Sequence, residues 1–266
     1  MRAALTPLGG SGCGGPRRHV SSTASCPTRR ESKIDICPVF DGMLQPGAVR
    51  LDFGGRDLSA LLRGLLRDQG GERLSPFVVD RLKEVSARAA LSPEDYEAAL
   101  RTCSGADAAA SEDAVDVRPQ THVLPDGQQI TVRGEGLQLG EALFRPEVLG
   151  LQDRLRPLHE LVFNACQNSP DPLARKVMTE GAFLCGGGST IPGAHERFFI
   201  ELETYSPPSY SVLGNPCPEY MPTNSLQFSA WTGGVVVAKL AFPHNQHVTR
   251  GEYAEHGPTI IHKKCV

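Results

Sequence analysis

The sequence has no pair of cysteines at the close spacing that zinc sites use, although it contains eight cysteines. His244 and His247 form a His-x-x-His motif in a predicted loop, with no cysteine or acidic residue beside them. We therefore expect no metal site. Because no secretory signal is recognisable at the N-terminus, we expect the thiols to be reduced in a cytosolic protein.

Long apolar runs and early acidic residues are also missing. No stretch approaches the roughly 20 residues that a transmembrane helix needs. The first 30 residues contain five arginines and no acid, so residues 31–266 hold 22 basic and 30 acidic side chains, a net charge of −8. The negative net charge of residues 31–266 argues against a nucleic-acid-binding surface.

Residues 1–35 are rich in arginine, glycine, serine and proline and contain few apolar side chains. Such a segment buries too little apolar surface to offset the entropy of ordering, so we predict that it is disordered. A mitochondrial transit segment also combines arginine and serine without acids, but glycines and prolines interrupt an amphipathic helix here. Order is expected from Ile36 onward.

Further along the chain, strand and helix patterns alternate, which predicts a mixed α/β class. The predicted elements, in chain order, are strands near 36–40 and 48–53, helices from Asp57, Ser75 and Ser92, an acidic linker at 104–118, a hairpin around Asp126, helices near 146–165 and 171–180, a strand at 181–185, a helix at 193–203, a strand, turn and apolar helix within 229–242, and a final helix capped by Thr249 and Glu252.

The stretch CGGGSTIPGAHER, residues 185–197, joins the strand at 181–185 to the next helix. Its spacing is neither that of a dinucleotide-binding fingerprint nor that of a P-loop, and no lysine follows the glycines. Two interpretations stay open, a plain tight turn and a loop that approaches a ligand closely. Thr190 is a candidate N-cap for the helix that follows.

Several long stretches occur in the order of one known protein family. They are LDFGGRDL at 51–58, VVDRLKEV at 78–85, LPDGQQITV at 124–132, EALFRPEVLG at 141–150, CGGGSTIPG at 185–193, SAWTGG at 229–234 and EYAEHGPTIIHKKCV at 252–266. They resemble the C-terminal two-thirds of an actin, whose own ending is similar to the basic pair, Cys265 and final apolar residue here. The resemblance covers about residues 36–266.

This resemblance implies an α/β chain that forms the C-terminal two-thirds of the actin-like ATPase fold. One lobe would carry a smaller helical subdomain at about 60–140. The C-terminal segment, 229–266, would belong to the first lobe, whose other residues have no counterpart in the sequence.

In an actin, a glycine-rich turn and two helix side chains line the adenosine side of the nucleotide cleft. The resemblance places a remnant of that wall at Lys83, Glu84, Gly186, Gly187 and Gly188. Lys83 and Glu84 also fit a solvated helix face, and the glycines also fit a strand-to-helix turn. Three positions weaken the remnant, because Ile191 replaces an aromatic ring and Asp80 and Gln227 replace basic residues.

The phosphate side of an actin site has no recognisable match. Residues 28–32, Thr-Arg-Arg-Glu-Ser, align with the family's second phosphate hairpin but contain no Asp-Ser-Gly-Asp-Gly pattern. Asp35 stands where an actin has the histidine that helps to position the attacking water. Phosphoryl transfer depends on positioning and charge neutralisation, so we expect no ATPase activity, no nucleotide or metal cofactor and no catalytic residue.

These features favour a non-enzymatic actin-like protein of the cytoplasmic actin cytoskeleton, with a cytoskeletal or assembly-associated role. The alternative is an ATP- and magnesium-binding ATPase whose first lobe comes from a longer isoform or a partner chain. The expected partners are actin, actin-binding proteins or a second copy of the chain, and neither nucleic acid nor membrane. The side chains expected to be partly exposed for such contacts are Trp231, Val235, Val236, Leu240, Phe242 and Ile261.

Overall fold

The structure is a computed structural model that describes residues 20–24, 33–103, 119–124, 127–151, 153, 155–212 and 225–264. Its main sheet combines antiparallel and parallel pairing. Strand β1 (Val20–Ala24) pairs antiparallel with β2 (Ile34–Phe40), which in turn pairs antiparallel with the short strands β3 (Met43–Leu44) and β4 (Val49–Leu51). The other edge of β1 pairs in parallel with the strand Ala182–Gly186, and these pairings give a mixed five-stranded sheet.

The prediction that residues 1–35 are disordered is wrong for Val20–Ala24, which form strand β1. Its five residues pair with neighbouring strands on both edges, which satisfies their backbone groups inside the sheet. Valine and threonine favour strands, but the composition averaged over 35 residues hides so short an element. β2 also begins at Ile34, before the expected start at Ile36. Residues 1–19 and 25–32 lie outside the described residues.

The helical part of the chain follows β4. It contains α1 (Gly55–Leu65), α2 (Pro76–Ser86), α3 (Pro93–Cys103), the hairpin strands β5 (Gln120–Val123) and β6 (Gln129–Val132), and α4 (Glu135–Glu141). Ser75 caps α2 by accepting from the Val78 amide, as the Ser-Pro start indicates. The predicted linker 104–118 and the hairpin tip at 125–126 lie outside the described residues.

The second set of helices packs around the sheet. It contains α5 (Leu158–Gln167), α6 (Pro172–Glu180), the strand β7 (Ala182–Gly186) and α7 (Ala194–Tyr205). The main hydrophobic core runs from β2 and β7 through α5 and α7 into α1 and α2, so sheet and helical part share buried side chains. Within the described residues, no helix has the length and apolar character needed to cross a lipid bilayer.

The C-terminal part consists of α8 (Ser225–Ala241), α9 (Arg250–His256) and α10 (Ile261–Lys264). The predicted strand and turn within 229–242 are wrong, because α8 is one continuous helix of 17 residues. The glycine pair is typical of a turn in the sequence, yet Gly233 is a buried residue within α8, the helix that packs against β7.

Candidate functional site

The glycine-rich turn begins where β7 ends. Gly186 has φ 99° and ψ 178°, and Gly187–Thr190 form a single 3₁₀ turn. The Ser189 hydroxyl donates to the Gly186 carbonyl at 2.7 Å, and the Thr190 hydroxyl donates to the Gly187 carbonyl at 2.6 Å. Both hydroxyl protons are therefore used inside the turn.

The expected N-cap role of Thr190 is wrong. Helix α7 begins only at Ala194, and its N-cap position is Gly193, in the left-handed region at φ 80° and without a side-chain cap. Thr190 is close to the start of α7 in the sequence. In the structure it is the last residue of the 3₁₀ turn and lies before the N-cap position of the helix. Pro192 and Gly193 therefore lie between the turn and the helix.

The connection between the 3₁₀ turn and α7 contacts the segment that follows α2. The Ala89 amide donates to the Pro192 carbonyl at 2.8 Å. A Cβ atom at Gly193 would lie only 2.2 Å from the Ala89 carbonyl oxygen. Backbone contact thus joins the glycine-rich turn to the helix that carries Lys83 and Glu84.

Lys83 is mostly buried and surrounded by oxygen atoms of its own lobe. Its ammonium group donates to the Gly55 carbonyl at 3.0 Å and to the Ser59 hydroxyl at 2.8 Å, and it lies 3.5 Å from a carboxylate oxygen of Asp80. Ser59 in turn donates to Asp80 at 2.5 Å. Asp80 is thus an anionic partner for Lys83 at the position where the resemblance implies a basic residue.

Glu84, one residue further along α2, has half of its side chain exposed and pairs with Arg81 at 3.1 Å. This is an i, i+3 pair on one helix, of a kind that contributes a few tenths of a kcal/mol. Glu84 therefore lies on the solvated face of α2, while Lys83 points toward α1. The two neighbouring side chains do not form one binding surface.

Below the glycine-rich turn is a small apolar pocket. Its lining includes Ile34, Leu143, Phe144, Leu158, Leu184 and Gly188. Such a lining offers hydrophobic contact but no charged or hydroxyl group to orient a ligand.

Asp35 lies in a cross-strand ion pair. It is opposite Arg50 in the β2–β4 register, and its carboxylate lies 2.9 Å from the Arg50 Nε atom. The Asp35 side chain is 8% exposed. Sequence reasoning missed Arg50, although alternation along two paired strands would have placed both side chains on one face.

Sequence reasoning also missed a charged cluster around the fully buried Arg197. Arg197 on α7 lies 3.5 Å from Glu141 on α4 and 2.8 Å from Glu201, and it donates to the Ala90 carbonyl at 3.2 Å. Burial raises the pKa of Glu141, although nearby Arg197 and Arg145 act to lower it. An arginine next to Phe198 on the apolar face of α7 was the available signal.

The predicted contact residues are exposed on the C-terminal helices. The exposed fractions of the six side chains are 70% for Trp231, 36% for Val235, 36% for Val236, 59% for Leu240, 56% for Phe242 and 51% for Ile261. Within the described residues, no group of three or more histidine, cysteine, aspartate or glutamate side chains could hold a metal ion. The clearest surface feature of the C-terminal part is therefore apolar.

Comparison with known proteins gives consistent matches. The protein-family model described as Actin matches residues 31–266. Actin-related protein 7 from Oryza sativa, in both the indica and japonica subspecies, is 39% identical over 235 residues, which cover 88% of this chain and 60% of the relative. Actin-related protein 7 from Arabidopsis thaliana is 35% identical over 237 residues, with the same coverage of 88% and 60%. The chain thus spans about 60% of the length of these curated relatives.

Proposed function

Because this chain belongs to the actin family, we propose that it is a non-enzymatic member that acts through protein–protein contacts. Its family and its partial actin-like α/β fold agree with what the sequence predicts. The proposed partners are actin or actin-binding proteins, and the proposed location is the cytoplasmic actin cytoskeleton. The proposed role is cytoskeletal or assembly-associated.

The position of Lys83 is the observation that carries this proposal. An ammonium group has three protons to donate, and Lys83 directs them to oxygen atoms of Gly55, Ser59 and Asp80. A nucleotide that used Lys83 would have to break these contacts and leave the Asp80 carboxylate with less compensation. The Lys83 ammonium group therefore has hydrogen-bond acceptors within its own chain, which supports the proposal of a degenerate nucleotide site.

The Asp35–Arg50 pair supports the same conclusion on the phosphate side. Phosphoryl transfer requires neutralisation of phosphate charge, and a carboxylate adds negative charge. Arg50, the cation beside Asp35, is already paired with that carboxylate at 2.9 Å. The segment 28–32, which aligns with the phosphate hairpin, lies outside the described residues.

The exposed side chains of α8 supply the proposed contact surface. Burying an apolar side chain of this size contributes about 1.5–3 kcal/mol, so a partner that covers several of them gains substantial affinity. Trp231 and Leu240 are more than half exposed, at 70% and 59%. Large aromatic and aliphatic side chains of this kind commonly dominate protein interfaces.

An assay of the purified chain with magnesium and ATP tests the non-enzymatic part. We expect no ATP hydrolysis above background and no saturable ATP binding in calorimetry. Turnover that is lost in the Gly187→Val variant would show that the glycine-rich turn serves a working site, and would reject the proposal.

Cosedimentation with purified actin filaments tests the contact surface. The wild-type chain is expected to sediment with filaments, or with filaments carrying a purified actin-binding protein. The double variant Val236→Asp and Leu240→Asp should remain in the supernatant. Equal sedimentation of both proteins would exclude α8 as the contact surface.

The length of the relatives favours one alternative. The chain spans about 60% of their length, and in this alternative a longer isoform or a partner chain supplies a first lobe that restores an ATP-binding ATPase. ATP hydrolysis by a longer product of the same gene, but not by this chain, would support that alternative.

A further inference from the structure

Strand β1 joins the two parts of the main sheet. It lies between β2 and β7, and Ser22 is in register with Ile36 on one side and with Leu184 on the other. In the part of the chain that the structure describes, no strand other than β1 pairs with β7. Without β1, the sheet would therefore divide into β2 with its two short partners and a separate, unpaired β7.

Both strands that flank β1 consist largely of buried residues. Ile34 and Ile36 on β2 are 3% and 0% exposed, and Leu184 and Cys185 on β7 are 4% and 3% exposed. Backbone amides and carbonyls in such surroundings need hydrogen-bond partners, because a buried group without one costs free energy. Neighbouring strands lie about 4.8 Å apart, so the space between β2 and β7 is wide enough for one extended segment.

The segment in this space has few residues of the types that specify a buried strand. Its sequence is Val-Ser-Ser-Thr-Ala, in which Val20 and Thr23 alone belong to the types enriched in strands. A serine occupies position 22, in register with the buried Ile36 and Leu184. The segment also precedes residue 31, where the match to the Actin family model begins. Its pairing therefore depends mainly on backbone hydrogen bonds, which other extended segments can also form.

We propose that the space between β2 and β7 is a strand-binding site for an extended peptide, parallel to β7 and antiparallel to β2, and that Val20–Ala24 of the same chain is its resident occupant. In strand addition, main-chain hydrogen bonds supply affinity and alternate side chains supply selectivity. The strand-binding site goes beyond the proposed function and is independent of it, because it concerns the sheet and not the contact surface of α8.

The register defines which peptides the strand-binding site accepts. Directly opposite residues of paired strands lie on the same face, so an aliphatic residue at position 22 would have Ile36 and Leu184 as neighbours. A peptide of residues 18–25 with Ser22→Val is therefore expected to bind about tenfold more tightly than the natural peptide. Proline at this position removes an amide from a strand that is paired on both edges, so the Ser22→Pro peptide should not bind.

Replacement of the resident strand by an added peptide tests the proposal in the whole 266-residue chain. Ser22→Pro in the chain should weaken the pairing of β1, so amides of β2 and β7 should lose hydrogen-exchange protection by at least about tenfold. A fluorescein-labelled peptide of residues 18–25 should restore that protection and bind this variant with a saturable rise in fluorescence polarisation. The Ser22→Pro form of the peptide should do neither.

Ser22→Ala is the matched control, because it keeps the backbone amide at position 22. This variant should protect β2 and β7 as the wild-type chain does and should not take up the peptide. A second variant, Ser22→Val, strengthens the resident strand instead of weakening it. It should increase the protection of β7 amides at least about fivefold, with an unchanged circular dichroism spectrum.

Protection of β7 that stays unchanged in Ser22→Pro would overturn the proposal, as would lost protection that the peptide does not restore. If α2 also loses protection in Ser22→Pro, the whole chain has unfolded, and the Ser22→Val variant then decides: equal protection of β7 in this variant and the wild-type chain rejects the strand-binding site. A wild-type dimer that Ser22→Pro abolishes would place the strand of a second copy in the site and reject Val20–Ala24 of the same chain as the occupant.

Discussion

Glu141 and Arg197 face each other with neither side chain exposed to solvent, and the Glu141 Oε1 atom lies 3.5 Å from the Arg197 Nη2 atom. Arg197 also forms an ion pair with Glu201 at 2.8 Å and donates a hydrogen bond to the Ala90 carbonyl at 3.2 Å. One guanidinium group therefore joins α4, α7 and the segment that follows α2. It connects the helical part of the chain to the helices that cover the sheet.

Replacing Arg197 with methionine is expected to lower the free energy of unfolding by about 3–5 kcal/mol, because Glu141 then stays buried without its nearest cation. The double variant Glu141→Leu and Arg197→Met should recover most of that loss, since an apolar pair of similar volume replaces the buried ion pair. Urea unfolding measures both changes. Equal losses in the single and double variants would show that packing, rather than the unpaired carboxylate, dominates.

The pH dependence of stability provides a second test of this cluster. Burial raises the pKa of Glu141 above its ordinary value of 4.5, with Arg197 and Arg145 opposing the shift and Glu201 and Glu147 adding to it. A raised pKa means that the protonated acid stabilises the fold. This contribution is complete below pH 4.5 and is lost as the pH rises through the folded-state value.

Glu141→Gln removes that titration. The stability of the wild-type protein relative to the Gln variant should therefore decrease as the pH rises above 4.5. Urea unfolding over a series of pH values gives the comparison. Stability curves that run parallel for the two proteins would contradict the raised pKa.

The connection between the glycine-rich turn and α2 predicts a large effect at Gly193. Gly193 and Gly150 both have positive φ angles, 80° and 68°. A Cβ atom would lie 2.2 Å from the Ala89 carbonyl oxygen at Gly193 but would have open space at Gly150. Gly150→Ala is expected to cost about 1–2 kcal/mol from the left-handed backbone alone, and Gly193→Ala clearly more. Thermal unfolding of the two variants compares them, and equal losses would mean that the Ala89 contact relaxes without cost.

Local patterns predicted many of the helices and strands. The Ser-Pro start of α2, the capping box of Thr249 and Glu252 and the strand before the glycines each depend on neighbouring residues. Elements that depend on tertiary context were missed. Strand β1 forms through pairing with β2 and β7, and the helix that contains Gly233 packs against β7.

The residues of the candidate site likewise divide into features that local sequence signals predict and features that depend on tertiary contacts. The sequence correctly places the glycine-rich turn between β7 and α7, because glycines and strand periodicity are local signals. It does not show that Lys83 turns toward α1 or that Arg50 pairs with Asp35, because those partners come from other elements. Which side chains a charged residue meets is a property of packing, so local sequence patterns do not predict it.

An ion pair between Lys264 and Glu252 joins the C-terminal helices α9 and α10. Lys264 lies 2.6 Å from a Glu252 carboxylate oxygen and also donates to the carbonyls of Asn245 and His247, at 3.2 and 2.9 Å. Glu252 accepts from the Thr249 amide at 2.9 Å in the capping box of α9. Lys264 and then Thr249 lower the pKa of Glu252 to about 2. A lowered pKa means that the ionised form stabilises these helices, so their stabilisation is present above pH 4.5 and is lost as the pH falls toward about 2.

Hydrogen-exchange protection factors for α9 and α10, corrected for intrinsic exchange, should therefore fall across this acidic range before those of the sheet do. Glu252→Gln should lower protection of the same helices at neutral pH and remove most of the acid dependence, because it cannot form the charged pair with Lys264. Glu255→Gln is the matched control, since Glu255 lies on the same helix with 77% of its side chain exposed. Protection that changes equally in both variants would place the acid sensitivity of this segment outside the Glu252–Lys264 contact.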